Sequence, residues 1–175
     1  MKRYSVEYQQ IVLRKLQLSD AERMLEWMNN PEVVQYMKIG QKKHTLDEIY
    51  QFIEVAQNDE INKHYAVSDE KGTYLGTVSL KGINREEGLA EYAIALHPDA
   101  IGTGAAALAT KSILNLAFCR ENLKKVFLYV LAENTRAVRF YEKIGWIYMG
   151  SERIIFNGKY CEVKWFEMQN GWKVK

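Results

Sequence analysis

The chain has 175 residues and a formal net charge of +2, and 47% of its residues are hydrophobic. This composition is typical of one globular domain, here residues 1–175, and lacks the strong positive charge of a nucleic-acid-binding protein. The N-terminal residues do not resemble a secretory signal, and no run approaches the roughly 20 apolar residues of a membrane span. We therefore expect a cytoplasmic protein with neither nucleic-acid nor membrane partners. Cys119 and Cys161 are far apart in sequence and predict neither a disulfide framework nor a metal site.

The first third of the chain predicts one strand followed by two helices. Residues 10–17 favour the strand. Ser19 and Thr45 each precede a glutamate by three residues, which is the spacing of a capping box, so each predicts a helix start. Asn30-Pro31 ends the first helix. The second helix carries apolar residues at helical spacing, namely Ile49, Phe52, Ile53 and Ala56.

Residues 33–44 predict a loop between these helices. Loops on a rigid scaffold often carry specificity, so Tyr36 and Met37 are candidate substrate contacts. The alternative is that both side chains only cover the core, and the sequence leaves the two possibilities open.

The middle of the chain predicts three consecutive antiparallel strands. Residues 64–68 and 74–81 form a hairpin around a turn at residues 69–72, where glycine comes late in the turn. A second turn at residues 84–88 leads into the third strand, residues 91–96, in which large and small side chains alternate.

A glycine pair follows the third strand and opens a long apolar helix. His97-Pro98 ends the strand because proline has no N–H to donate. Gly102 and Gly104, on either side of Thr103, allow a tight turn with uncovered N–H groups. Since the first N–H groups of a helix lack partners and carry partial positive charge, this segment predicts an anion site, most naturally for phosphate. The alternative is a tight turn without a ligand.

The last third predicts a buried strand, a helix and a hairpin. Lys125–Leu131 is apolar on both alternating faces, which is typical of a parallel strand covered on both sides. Asn134 is positioned to cap the next helix and Gly145 to end it. Residues 148–156 and 159–167 predict strands joined by an Asn-Gly turn. The order of elements predicts an α+β protein with a mixed sheet and a right-handed crossover.

At this point the sequence resembles a known family, the GCN5-related N-acetyltransferases (GNAT). The resemblance covers nearly the whole chain and rests on Gly102-x-Gly104 at a helix start, followed by Asn134, Ala137, Tyr141, Gly145 and Trp146 at the family's spacing. Within the family the chain is most similar to the branch of ribosomal-protein N-terminal, polyamine and amino-sugar-nucleotide acetyltransferases. That similarity lies in Trp27, Asn29, Pro31, Val33 and Met37 and in residues 157–160.

The resemblance implies the GNAT fold, a mostly antiparallel mixed sheet flanked by helices, in which strands 91–96 and 125–131 splay apart. It also implies acetyl-CoA as the acetyl donor, with its pantetheine arm between these strands, and no metal. The coenzyme-binding residues that it implies are Ala95, Leu96, Ile101, Gly102, Thr103, Gly104, Ala105, Asn134, Tyr141 and Lys143.

Acetyl transfer requires a proton donor for the departing thiolate and a base for the amine. Tyr141 matches the family's tyrosine near the thioester sulfur, so we expect it to donate; the alternative is a tyrosine that only packs. Glu91 is the candidate base, acting through water, because it shares a strand face with the small residues Ala93 and Ala95. The alternative for Glu91 is a solvated strand end.

One position departs from the family pattern. Where Arg or Gln usually stands three residues before the first glycine, this chain has Asp99. A carboxylate there would repel a pyrophosphate. Either the loop binds through backbone N–H groups with Asp99 turned outward, or coenzyme binding is weakened.

The leading hypothesis is an N-acetyltransferase for a small-molecule amine. A nucleotide-linked amino sugar is the first candidate acceptor, a polyamine the second and a protein N-terminus the third. The hypothesis from another class is a non-catalytic module that senses coenzyme A. We expect a monomer or homodimer. The candidate acceptor contacts are Trp27, Tyr36, Met37 and Glu91.

Overall fold

The computed structural model describes residues 8–38 and 42–171, in which one seven-stranded sheet runs through the described chain in the order β1-β2-β3-β4-β5-β7-β6. The strands are β1 (Val12–Lys15), β2 (Lys63–Ser68), β3 (Tyr74–Asn84), β4 (Leu89–Leu96), β5 (Lys125–Leu131), β6 (Ile147–Phe156) and β7 (Lys159–Gln169). The helices are α1 (Ala21–Met28), α2 (Pro31–Val34), α3 (Leu46–Ala56), α4 (Ala105–Cys119) and α5 (Thr135–Lys143).

Among the strands of the described residues, only β4 and β5 pair in parallel, and they do so over a short distance. Their register joins Leu89 to Lys125, Ala90 to Val126 and Glu91 to Phe127, whereas both strands continue beyond these pairs. The other neighbouring strands pair antiparallel. The predicted α+β fold and its splayed central strands are therefore confirmed, and the splay leaves one edge of β4 without a strand partner from Tyr92 onward.

The helices cover the two faces of the sheet unequally. On one face, α4 and α5 pack on all the central strands, with Ile113 and Leu114 of α4 fully buried against residues such as Leu128. On the other face, α1 and α3 cover the β1–β4 side, where Met24 and Ile53 are buried. No described helix covers β5, β7 and β6 on this second face.

This unequal covering overturns one prediction about β5. The apolar character of both its faces predicted a strand covered on both sides, but the Tyr129 side chain is 43% exposed and Phe127 is only partly buried. Tyr129 instead packs against its neighbours within the sheet, Phe127 at 5.9 Å and Trp165 at 5.9 Å between ring centroids. The open face leaves room for a ligand beside the splay.

The start of α1 also differs from the prediction. The Ser19 hydroxyl caps no N–H of α1, which follows a short 3₁₀ turn. Asp20 accepts the N–H of Gln17 at 2.9 Å and forms an ion pair with Arg14 at 2.7 Å. A carboxylate therefore organises this turn instead of the serine.

The other predicted caps and turns are confirmed. Thr45 accepts the N–H of Glu48, whose carboxylate accepts the N–H of Thr45 in return. The Asn157-Gly158 hairpin turn has φ angles of 48° and 76°, the left-handed values that such a turn requires. The predicted 33–44 loop begins with α2 instead, and its residues 39–41 lie outside the described residues. None of the helices within 8–38 and 42–171 combines the length and the apolar character needed to cross a membrane.

Candidate active site

A long open cavity of about 1500 Å³ runs along the splay between β4 and β5. One half lies between the glycine loop, the start of α4 and α5. The other half lies on the open face of the sheet, beside α1, α2 and α3. Such a cavity has room for an extended ligand in the splay and a second molecule on the sheet face.

The glycine loop forms one end of the cavity. Gly102 and Gly104 both have left-handed φ angles, 81° and 83°, which only glycine adopts readily. Thr103 is buried, and its hydroxyl donates to the carbonyl oxygen of Ala100 at 2.6 Å. The side chains of Thr103 and Ala105 therefore point into the protein, while Gly102 and Gly104 line the cavity. At the start of the 15-residue helix α4, the Ala105 N–H donates to the Thr103 hydroxyl at 3.4 Å and the Ala107 N–H to the Gly104 carbonyl at 3.1 Å. The partial positive charge of this helix start favours an anion.

Cationic side chains of α5 border the same half of the cavity. Arg136 and Lys143 both line it. The Asn134 side chain accepts the Ala137 N–H at 3.2 Å, which confirms its role as helix cap, and Asn134 also lines the cavity. The sequence analysis included Asn134 and Lys143 but missed Arg136, because only the helical geometry shows which side chains turn toward the cavity.

Asp99 is turned away from the cavity. Its side chain is 70% exposed and lies 3.4 Å from Arg23 and 3.4 Å from the His97 imidazole. His97 is itself buried and lies 2.6 Å from Glu26. Of the two possibilities left by the sequence, the structure has the outward-facing carboxylate, and the loop presents its backbone N–H groups to an anion.

Tyr141 lies under the splay, in an aromatic cluster. Its side chain is only 8% exposed, and its ring packs against Tyr92, Trp146 and Phe166 at 5.8–6.2 Å between centroids. The residue lines the cavity, and its hydroxyl has no hydrogen-bond partner among the described residues. Burial raises the pKa of the Tyr141 phenol, so it stays protonated and able to donate at neutral pH.

Glu91 lines the acceptor side of the cavity, as the sequence predicted for its strand face. Its carboxylate forms an ion pair with Lys81 at 3.0 Å, and both groups are partly exposed. The role of Glu91 as base stays a prediction.

A hydrogen-bonded pair missed by the sequence analysis lies one strand away. His64 of β2 places its Nδ1 2.7 Å from the Oγ of Ser79 on β3, and both residues line the cavity. The sequence alone offered no reason to single out His64. The signal was the hairpin register, which sets His64 directly opposite Ser79.

The candidate acceptor contacts differ in how far they reach the cavity. Trp27 is only 5% exposed, and its indole N–H donates to the Tyr74 hydroxyl at 2.9 Å, so its ring belongs mainly to the core. Tyr36 and Met37 are half-buried; each packs against a hydrophobic cluster and also lines the cavity. Both roles that the sequence left open for them are therefore compatible with their positions.

Two glutamates, Glu91 and Glu152, line the cavity near Tyr129 on the open sheet face, while Glu167 is buried beside its ion-pair partner Lys125. Burial raises the pKa of the Tyr129 phenol, and the negative charges of Glu152, Glu91 and Glu167 raise it further. Glu91 and Glu167 each have a lysine partner, whereas Glu152 has no ion-pair partner among the described residues. Trp165 stacks on Tyr129 from the neighbouring strand. This part of the cavity combines the negative charges of Glu91 and Glu152 with the ring of Tyr129, which suits a cation.

Splayed parallel strands, a glycine loop at a helix start and a buried tyrosine beneath the splay define a coenzyme A-dependent acyltransferase site. Residues 10–147 match the model of the acetyltransferase (GNAT) domain, and the chain belongs to this family. It is an N-acetyltransferase that uses acetyl-CoA as its donor.

Several relatives and solved structures with similar chains are spermidine N-acetyltransferases. The chain is 29% identical to a spermidine N(1)-acetyltransferase of Vibrio cholerae, covering 89% of this chain and 90% of the relative. A spermidine N(1)-acetyltransferase of Escherichia coli K12 is 28% identical, covering 86% and 81%. The crystal structure of the Vibrio cholerae spermidine N-acetyltransferase in complex with CoA and spermine superposes with a TM-score of 0.83 at 28% identity, covering 92% and 96%.

Proposed function

We propose that the acceptor is a polyamine of the spermidine and spermine class. The observation that carries this proposal is the pair of glutamates, Glu91 and Glu152, that line the cavity together with Tyr129 on the open sheet face. A polyamine is a flexible molecule that carries several positive charges at neutral pH, because its amines have pKa values of about 10. Carboxylates attract each ammonium, and the ring of Tyr129 favours a cation further. The relatives named for spermidine support the same acceptor.

The nucleotide-linked amino sugar, the first candidate from sequence, has less support in this cavity. That hypothesis came from the similarity of residues 27–37 to the amino-sugar branch, with Trp27 or Tyr36 stacking on the base or the sugar ring. The Trp27 ring is almost fully buried and its N–H donates to the Tyr74 hydroxyl, whereas Tyr36 lines the cavity. The sensor hypothesis relied on Asp99, whose carboxylate faces Arg23 and solvent. Neither alternative explains the carboxylates around Tyr129.

In this proposal acetyl-CoA lies along the splay. Its pyrophosphate takes the N–H groups between Ile101 and Ala105, with Arg136 and Lys143 adding positive charge. The pantetheine arm pairs with the free edge of β4 at Ala95 and Leu96, as an added strand does. The thioester then lies near Tyr141, which protonates the departing thiolate.

The experiment measures thiol release from acetyl-CoA with a panel of amines, against a control without amine. The panel contains spermidine, spermine, a UDP-linked 4-amino sugar and a peptide with a free N-terminus. We expect turnover with the two polyamines. Turnover of the amino sugar or the peptide with none of spermidine would refute the polyamine proposal, while leaving acetyl transfer itself in place.

A further inference from the structure

The feature that carries a further inference is a row of side chains across three strands. Ser79 on β3 lies opposite His64 on β2 and opposite Ala93 on β4. Ser79 is nearly buried, and its Oγ lies 2.7 Å from His64 Nδ1. The methyl group of Ala93 is small, so the space above the centre of this row belongs to the cavity.

Acetyl transfer requires that the acceptor amine lose a proton before it attacks the thioester. An amine with a pKa of about 10.4 binds as an ammonium ion at neutral pH. Its nitrogen has no lone pair to attack the thioester until one proton leaves. The Glu91 carboxylate already forms an ion pair with Lys81 at 3.0 Å. The hydrogen-bonded pair of His64 and Ser79 is a second group beside the splay that can accept the proton.

We propose that Ser79 and His64 form a relay that removes this proton. The ammonium N–H gives its proton to Ser79 Oγ while the Ser79 hydroxyl proton passes to His64 Nδ1. The amine keeps the electron pair of the broken N–H bond, the serine ends as a neutral hydroxyl, and the imidazole becomes imidazolium. The imidazolium then loses its Nε2 proton to water, and water-mediated tautomer exchange moves the remaining proton from Nδ1 back to Nε2, so that Nδ1 can accept a proton in the next turnover. The relay rests on the acetyl transfer of the proposed function. It applies to any acetyl acceptor whose amine binds as an ammonium ion.

The surroundings of His64 suit a proton acceptor. Burial lowers the pKa of its imidazole, Asp59 raises it and Lys81 lowers it, with a net lowering, so the ring is neutral at pH 7. Phe52 of α3 packs edge-on against the ring at 5.0 Å between centroids. His64 Nε2 has no hydrogen-bond partner within the described part of the chain, which leaves it open to solvent exchange. A neutral imidazole bound through Nδ1 to a hydroxyl can take up and release one proton in each turnover.

The test is the pH dependence of kcat/KM between pH 6 and 9, with spermidine or whichever panel amine is acetylated. An enzyme that deprotonates a bound ammonium has a plateau above the pKa of its base. For an enzyme that uses only the free amine, kcat/KM rises about tenfold per pH unit up to the amine pKa of about 10.4. We expect the plateau in wild type and the tenfold rise per pH unit in His64→Gln and Ser79→Ala. At pH 7 the kcat/KM of each variant should be lower than that of wild type by about 10²-fold or more.

The matched control is His44→Gln, because His44 lies outside the cavity; it should keep the plateau. A rise in melting temperature on adding coenzyme A identifies variants that have folded. A His64→Gln enzyme with the wild-type profile would overturn the relay, and so would a tenfold rise per pH unit in wild type, even if no variant folded. If another amine is acetylated and spermidine is not, the polyamine proposal fails and the relay is judged with that amine.

Discussion

Replacing Tyr141 by phenylalanine separates packing from chemistry. The variant keeps the ring and its contacts with Tyr92, Trp146 and Phe166, and it removes one hydroxyl that has no partner among the described residues. Since Tyr141 lines the open cavity, removing this hydroxyl costs the described part of the fold no hydrogen bond and leaves the packed ring in place. We therefore expect Tyr141→Phe to be at least as stable as wild type.

The loss of activity in Tyr141→Phe should appear in the rate of the chemical step. General acid catalysis contributes about 10²–10⁴-fold, which corresponds to about 2.7–5.4 kcal/mol of barrier at about 1.36 kcal/mol per factor of ten. We expect kcat to fall within this range while the affinity for coenzyme A stays within about twofold. Single-turnover thiol release measures the chemical step, and calorimetry measures the affinity for the coenzyme.

The opposite pattern would refute this role for Tyr141. An unchanged single-turnover rate would show that the residue only packs and that the thiolate departs without its proton. Equal losses of coenzyme affinity and rate would show that the hydroxyl shapes the binding site instead.

Three further predictions concern the glycine loop, Asp99 and alkaline stability. Gly104→Asp places a carboxylate at the proposed phosphate site and should abolish the rise in melting temperature that coenzyme A causes. The control, Gly158→Asp, imposes similar left-handed strain at the distant hairpin and should keep that rise in melting temperature. Asp99→Arg should change the affinity for coenzyme A by less than about threefold, because an exposed pair is worth about 1 kcal/mol or less; tenfold tighter binding would place Asp99 at the phosphates. Burial raises the pKa of Tyr92 and Tyr141 in the folded protein, so the unfolded chain ionises first and stability falls above about pH 10. A free energy of unfolding that stays constant from pH 9 to 11.5 in chemical denaturation would contradict this.

The sequence predicted those parts of the site that local chemistry fixes. Gly102 and Gly104 have the left-handed φ angles that the loop required, and Asn134 caps the helix that carries Tyr141. A cap or a tight turn depends on residues a few positions apart, so its signal survives in a single sequence. The splay of β4 came from family resemblance, since no local pattern specifies it.

The parts that the sequence missed depend on contacts between distant segments. His64 and Ser79 meet only because the β2–β3 register sets them opposite each other. The two apolar faces of β5 could not show that one face lacks a covering helix and leaves Tyr129 exposed. The outward turn of Asp99 depends on Arg23, which is 76 positions away in sequence.

The central claim is that carboxylates on the open sheet face recognise a multiply charged acceptor. Its most direct test is the ratio of kcat/KM for spermidine to kcat/KM for propylamine, which has a single charge. Wild type should favour spermidine, and Glu152→Gln should lower the ratio by about 2–5-fold, as expected for loss of one partly exposed charge pair. Glu142→Gln, an exposed glutamate outside the cavity, should leave the ratio unchanged. A wild-type ratio near one, or a ratio that Glu152→Gln does not change, would contradict the claim.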